Sequence, residues 1–497
     1  MKKLFTFLFL TITINSSCQS LAGSKWCFGD STGLDFASGT PTQFASSLKS
    51  LEGCASISDS RGNLLFYTNG ISVWDRNDNQ MPNGFGLYSV PELTFDYGSS
   101  ATNGCIILPF PNDPFKFYIF TVASFAKDTG MHYSVVNLQL NSGNGDVELK
   151  NFHLLHGKLC ESIAAVRHAN GRDWWVITHK NGTNTFYWFL INTYGVSGPF
   201  IQTIGYNLNF GGAFQGGEID VTKDGTKLLM VTQKSIEVFF IDRCEGKFTD
   251  SIPIFNTNIL YSAYSGSFSP NGNLIYVTAN NDSLFQYNLS DPVDSIYLNR
   301  ILINNNPFYD PLNANTQHPL SQLQLGIDDK LYFGFPYGAY PSQIFDTINT
   351  KLNCINNPDN IGAACNLQLG VISLGSRRTF YGLPNIPNYN LSALDNSECD
   401  TLGLSINDVK TINHNSTAYP NPVSNGNICF HLPANGEKQV TVTVTDPAGR
   451  TCFSKSITTD NACVQLPGSF NNGMYLYAVT SAMDNKIVVK GKLLVQQ

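Results

Sequence analysis

The chain has 497 residues, of which 42% are hydrophobic, 12% aromatic and only 13% charged. That length holds two or three domains, or one large repeat domain with an appendage. Its net charge of −7 and the lack of any basic cluster beyond Arg377-Arg378 exclude a nucleic-acid partner, because phosphate binding needs grouped Lys and Arg. Few charges with abundant Gly, Asn, Ser, Tyr and Phe is the composition of short strands joined by tight polar turns.

The N-terminus reads as a secretory signal peptide over residues 1–22. Lys2 and Lys3 form a basic start, and the eleven apolar residues 4–14 are too few to span a bilayer as a helix. Ser20-Leu21-Ala22 places small residues where a signal peptidase inspects them, so cleavage is expected after Ala22. A lipoprotein signal with Cys18 lipidated is the second reading, against which Asn15 stands where an apolar residue is preferred. No later segment is apolar enough to form a transmembrane helix.

From residue 24 to 389 one pattern recurs. An apolar strand enters a turn of Asp, Asn, Gly and Lys and leaves as a second apolar strand. The turns fall at 59–62, 111–114, 170–171, 223–226, 270–273 and 328–330, roughly 47 to 57 residues apart, the period of a four-stranded propeller blade. Asn and Asp tolerate left-handed backbone and Gly supplies positive φ, so such turns join two strands tightly. The expected fold is all-β, a β-propeller of seven blades. The seventh pairs 369–373 with 26–28 and leaves no open edge. A β-sandwich array would place turns every 8–12 residues without the longer period.

Several stretches carry a resemblance. Leu34-Asp-Phe36 with Gly39-Thr-Pro41, Glu52-Gly-Cys-Ala-Ser-Ile-Ser-Asp59, Leu65-Phe-Tyr-Thr-Asn-Gly70 and Val73-Trp74 resemble a family of exported Bacteroidetes propellers. So do Val166-Arg-His-Ala-Asn-Gly-Arg-Asp-Trp-Trp175 and Gly382-Leu-Pro-Asn385. The turn Phe268-Ser-Pro-Asn-Gly272 is similar to that of WD40-like and TolB-like blades. The resemblance implies fold and compartment, and no shared activity.

Residues 390–415 lose the apolar period and read as a linker. Residues 416–497 then read as a small β-sandwich, with Val and Thr alternating over 440–445. Tyr419-Pro420-Asn421-Pro422, the Asp446 to Gly449-Arg450 turn, Gly473-x-Tyr475 and Lys490-Gly491-Lys492 near the end resemble the type A C-terminal sorting domain of type IX secretion. The tail departs from that pattern at Phe470-Asn-Asn472, where a Leu usually precedes Gly-x-Tyr, and in its three cysteines. The resemblance implies delivery across the outer membrane, with the secretion machinery as partner and a secreted or cell-surface destination.

Twelve cysteines in an exported chain point to disulfides. Cys354 and Cys365 bracket a Pro-Asn-Gly loop and are the expected pair. Of Cys429, Cys452 and Cys463 at most two pair locally. Cys54, Cys105 and Cys160 read as small buried apolar residues. No Cys-x-x-Cys or His/Cys cluster offers a metal site, and no cofactor is expected.

Catalytic candidates are few. His168 and His179 flank Trp174-Trp175, with Arg167, Arg172 and Asp173 nearby, and a His beside an acid serves as a general base. The two Trp alternate on a strand, so they do not line one pocket, and Asn170-Gly-Arg-Asp173 is itself a turn. Glu161 and Glu218 each open the inner strand of a blade, and a carboxylate pair in one channel suits acid/base work or Ca²⁺. Nine scattered Arg argue against sialidase chemistry, and no Gly-x-Ser-x-Gly or His-Glu-x-x-His occurs. Asp-Ser/Thr triplets at Asp30, Asp250, Asp282, Asp294, Asp346 and Asp400 resemble O-glycosylation sites of exported Bacteroidetes proteins. The reading is an exported propeller that binds an unidentified extracellular ligand, a carbohydrate or a protein. The alternative is a propeller hydrolase or lyase acting on an extracellular polysaccharide or peptide. An entrance holding Glu161, Glu218 and a His within hydrogen-bonding reach would favour the enzyme.

Overall fold

In the computed structural model the six polar turns each join the first two strands of an antiparallel sheet. The structure describes residues 20–400 except 90–96, 125–126, 208–216, 234, 255–262, 280–282, 306–308, 311–312, 318, 337–347 and 396. Further along it describes 418–495 except 421–422, 424, 431–438, 447–450, 459–461, 469, 471 and 483–486. The chain divides into two units, Met1–Gly403 and Leu404–Gln497.

In the first unit, sheet I has three strands: Lys25–Phe28, Asp30–Asp35 and Thr42–Lys49. Sheet II is built from Ala55–Ser58, Leu64–Thr68, Ser72–Asp75 and Gln80–Phe85. Sheet III takes Cys105–Phe110, Asp113–Val122, Met131–Asn137 and Asp146–Leu155. Sheet IV takes Leu159–Arg167, Trp174–Lys180, Thr185–Asn192 and Gly195–Thr203. Sheet V is Gly217–Val221, Lys227–Thr232, Ser235–Asp242 and Lys247–Pro253. Sheet VI is Ser265–Phe268, Leu274–Ala279, Ser283–Asn288 and Ile301–Asn305. Sheet VII is Gln324–Leu325, Leu331–Gly334, Lys351–Ile355 and Leu367–Ser373. Sheets II to VII are meanders in which sequence neighbours pair.

The turn chemistry acts as the residue types dictate. Asp59 Oδ1 accepts from the Arg61 and Asn63 N–H groups at 2.9 Å each. Gly225 and Gly272 sit at φ 72° and 68°, where a β-carbon is disfavoured.

Alternation along each inner strand packs one sheet on two neighbours. Leu228 and Met230 face sheet IV, meeting Ala164, Val166 and Ile177. Leu229 and Val231 between them face sheet VI, meeting Phe268, Ile275 and Val277. Likewise Leu274 and Tyr276 meet Leu331 and Phe333 of sheet VII. Ile106 and Leu108 of sheet III meet Ile163 and Ala165 of sheet IV. Ile107 meets Ile57 and Phe66 of sheet II. Trp26, Phe28 and Leu34 of sheet I share one cluster with Tyr67 of sheet II and with Tyr332 and Leu352 of sheet VII. Every sheet therefore has an apolar partner on each side, and sheet I closes the series between VII and II.

Three expectations are corrected. Residues 369–373 do not pair with 26–28. They lie in the outer strand of sheet VII against Lys351–Ile355, and 26–28 begin the separate sheet I. Residues 390–400 are not a free linker. Leu394 donates its N–H to Ala169 O at 2.8 Å, and Cys399 forms a disulfide with Cys244. Cys354 and Cys365 are both free. Cys354 faces the cluster of Trp26 and Tyr332, whereas Cys365 lies on the other face of sheet VII with Leu274 and Phe333, so the sheet separates their sulfurs.

In the second unit, Ala418–Tyr419, Asn427–Phe430 and Cys463–Gln465 form one sheet. The other has the order Thr451–Thr458, Gln439–Thr445, Gly473–Ser481, Ile487–Val495. Val440, Val442 and Val444 point into a core shared with Ile428, Phe430, Val479 and Leu493, while the intervening Thr side chains face outward. A Cys429–Cys463 disulfide joins two strands of the smaller sheet, and Cys452 is exposed.

Candidate functional site

Glu161 and Glu218 occupy equivalent places near the start of the first strands of sheets IV and V. Both are buried, with 2% and 4% of their surface exposed. The dipeptide Thr102-Asn103, just before sheet III, joins them. The Thr102 N–H and hydroxyl each donate to Glu161 Oε2 at 3.4 Å. The Asn103 N–H donates to Glu161 O at 3.2 Å, and its side-chain amide donates to Glu218 Oε1 at 3.2 Å. Glu218 Oε2 also accepts from the Ser265 hydroxyl and, at 3.2 Å, from the Gly266 N–H. Burial, opposed by the Ser265 bond, pushes the Glu218 carboxyl up to about 8, with the Asp220 charge adding to the rise. It is therefore protonated at neutral pH.

Glu52 is a third carboxylate of this region. Burial and the neighbouring Glu161 charge raise it well above its ordinary value, and Tyr264 lies beside it. Tyr264 is itself raised by burial and by the Glu52 and Glu218 charges.

A segment of the chain's own backbone fills the space that the first strands share. The Gln322 N–H donates to Tyr381 O at 2.8 Å, and Gln322 Oε1 accepts from the Leu383 N–H at 2.8 Å. The Gly382 N–H donates to Leu51 O at 3.1 Å, and the Asn385 N–H donates to Cys54 O at 2.9 Å. The Asn385 amide donates to Ile163 O at 2.8 Å. Residues 381–385 thus bond to the first strands, or the residues leading into them, of sheets II, IV and VII. The chain then crosses the end of the sheets that carries the polar turns. There the Tyr389 hydroxyl donates to Ile107 O and the Asn388 amide donates to Lys223 O.

His168 and His179 do not join the carboxylates. His168 lies past the far end of the strand that carries Glu161, about 20 Å away at ~3.3 Å per residue, and its Nδ1 accepts from the Asn170 N–H at 3.0 Å. His179 is 1% exposed, lies 3.3 Å from Cys160 Sγ and packs on Phe186 at 4.5 Å. Burial lowers it to about 3 and raises the Cys160 thiol to about 12, helped by Glu161. The pair is a neutral imidazole beside a neutral thiol, which cannot act as a thiolate–imidazolium nucleophile. Trp174 faces sheet III beneath the Arg167 guanidinium at 4.2 Å, and Trp175 faces sheet V, so these two rings do not line one site.

Among the described residues, no group of three or more His, Cys, Asp or Glu is placed to hold a metal. Nor is any helix among them long and apolar enough to cross a membrane. Sequence reasoning missed Thr102, Asn103, Gln322 and Glu52. Their signal was position alone, just before a first strand, whereas Glu218 lies in one.

In the second unit Tyr419 pairs with Cys429 and is partly exposed. Pro420 follows it, while Asn421, Pro422 and Gly449 lie outside the described residues. Gly473 and Tyr475 lie on one strand, and Lys490 and Lys492 pair with Ala478 and Leu476 of that strand. Gly491 between the lysines leaves room for the Tyr477 ring, whose atoms lie 2.8–3.0 Å from where a β-carbon would be. Phe470, at the departure from the sorting pattern, is buried and packs on Tyr475 at 4.8 Å.

The sequence matches no curated protein. Solved structures similar to it include a luciferin-regenerating enzyme at 10% identity, covering 60% of this chain and 89% of that one, with a TM-score of 0.31. Another is the β-propeller domain of Cps50 (Swd1) from Myceliophteria thermophila at 13% identity, covering 65% and 95%, with a TM-score of 0.36. At such scores the fold rests on the sheet order above. Residues 417–496 match the secretion system C-terminal sorting domain. Such a domain marks the chain for export through the type IX system, to the cell surface or out of the cell.

Proposed function

We propose that the first unit is a seven-bladed β-propeller, with sheets I to VII as its blades, delivered outside a Bacteroidetes cell to bind an extracellular carbohydrate or protein. An N-terminal signal opens the route, and residues 416–497, a type A sorting module folded as a β-sandwich, engage the outer-membrane secretion machinery. The observation that carries binding over catalysis is the packed centre. Residues 381–385 occupy it, and Glu218 spends its oxygens on Asn103, Ser265 and Gly266, none of them a titrating partner. Ligand contact then falls to the loops and rims of the blades.

The test expresses the full chain and a version ending at Leu404 in a host with type IX secretion, with intact masses of the surface and medium proteins. Export of the full chain alone, arriving without its last 80 or so residues, is the expected result. Equal export of both versions overturns the sorting assignment. The exported protein is then screened on arrays of extracellular polysaccharides and matrix proteins. Binding without turnover, unchanged in Glu218→Gln, supports the reading.

The second reading, a hydrolase or lyase, is favoured by one observation: a carboxylic acid held protonated at neutral pH near two further carboxylates, the arrangement of a general acid. Turnover of an arrayed polymer, abolished in both Glu161→Gln and Glu218→Gln, would establish it.

A further inference from the structure

The residues before the first strand belong to the folded unit. The Ser20 N–H donates to Asn390 Oδ1 at 2.9 Å, and the Asn390 amide donates back to Ser20 O at 2.9 Å. The Leu21 N–H donates to Ser60 O at 3.1 Å, and the Ser58 N–H donates to Ala22 O at 2.8 Å. Leu21 O accepts from the Ser24 N–H at 3.0 Å. Four of these five bonds reach two places distant in sequence, the first turn of sheet II and the closing segment near Asn390. Leu21 also reaches over the sheet II turn, its Cδ1 lying 3.3 Å from where a β-carbon on Gly62 would be.

Cleavage after Ala22 would remove all five bonds. It would also place a new α-ammonium on Gly23, next to the fully buried Ser24.

We propose that the mature chain keeps Ser20-Leu21-Ala22, so that the signal is hydrolysed at or before the Gln19–Ser20 bond and not after Ala22. Water splits that peptide bond, leaving a carboxylate on the leader and a free amine on the mature chain. The sequence supplies Ser16, Ser17 and Cys18 there as the small residues such a peptidase accepts. The inference rests on the export reading given above.

The experiment is mass spectrometry of the N-terminal peptide of the full chain after export. A first residue at Cys18, Gln19 or Ser20 is expected. Cys18 carrying a diacylglyceryl mass and Cys18 with a free thiol both support the inference, and the mass tells the lipoprotein route from the ordinary one. A first residue at Leu21, Ala22 or Gly23 overturns it and leaves export standing. An exported chain that keeps Met1 overturns this inference and the reading of residues 1–22 as a cleaved signal, whereas a full chain that never leaves the cell overturns the export reading. As a second measurement, full chains beginning at Ser20 and at Gly23 are compared by calorimetry. The shorter chain should melt lower by roughly 3 °C in the transition of the first unit, and equal melting overturns the packing argument.

Discussion

Gly382 lies so close to Glu52 that a β-carbon on it would fall 1.7 Å from the Glu52 carbonyl oxygen. Both are backbone positions, one before the first strand of sheet II and the other more than 300 residues later. The contact fixes the depth at which residues 381–385 enter the centre of the first unit, because the bonds to Leu51, Cys54, Gln322 and Ile163 all follow from it.

Gly382→Ala should therefore act as a packing mutation at the centre of the unit. The neighbour is backbone, and Leu51 and Cys54 on either side of it are both bonded to the segment, so it cannot give way cheaply. A loss of about 3 kcal/mol is expected, as for an overpacked core, read as a fall in the denaturant midpoint of the first unit. A variant as stable as the parent would mean that the segment does not sit at this depth.

The six polar turns were legible because their chemistry is local. Asp59 bonds its own turn and Gly225 and Gly272 take positive φ whatever surrounds them. The alternation of the inner strands was legible for the same reason. The central segment was not, since Gly382, Pro384 and Asn385 have no periodicity and their partners lie up to several hundred residues away. Glu161 and Glu218 could be singled out by their place on a first strand, but no spacing rule joins them to Thr102, Asn103 or Gln322. The error over Cys354 and Cys365 came from reading a loop as a bracket. Residue parity on Lys351–Ile355 sends Cys354 to one face and Ile355, with Cys365, to the other.

The Cys244–Cys399 disulfide closes a span of 155 residues and fastens the end of the closing segment to sheet V. Opening it frees the unfolded chain to explore more conformations, and the chain-entropy estimate for so long a loop is about 5 kcal/mol, with measured values commonly lower. Cys399→Ser should lower the melting temperature of the first unit while leaving that of the second unchanged, because Cys429–Cys463 is independent. Calorimetry resolves the two transitions, and a fall in the second alone would contradict this assignment.

Glu218 makes the first unit less stable as the solution becomes alkaline. Its folded value near 8 stands above the ordinary carboxylate value, so between about pH 4.5 and 8 the folded state holds a proton that the unfolded state has released. Stability falls through that window, by on the order of 5 kcal/mol from this group. Glu218→Gln carries no titratable proton and should flatten the dependence. Unfolding free energies of both proteins from pH 5 to 9 provide the check, and parallel curves would refute the assignment.

Acid should act through His132, with the opposite sign. This imidazole is buried opposite His153 on the neighbouring strand, with Tyr88 at 4.6 Å on one side and His153 at 4.8 Å, itself 3.8 Å from His156, on the other. Burial, then His153 and His156, lower it to about 4. Below the ordinary histidine value near 6.5 the unfolded state binds a proton that the folded state refuses, so stability present above pH 6.5 is lost as the pH falls toward 4. The lowered His179 adds a loss in the same direction, so the test must isolate one site. His132→Phe keeps an aromatic ring between Tyr88 and His153 and removes the proton acceptor. The difference in stability between this variant and the parent should grow in the variant's favour between pH 6.5 and 4 and stay constant above pH 7. A difference that does not change with pH would show that His132 is protonated as readily in the folded chain as in the unfolded one.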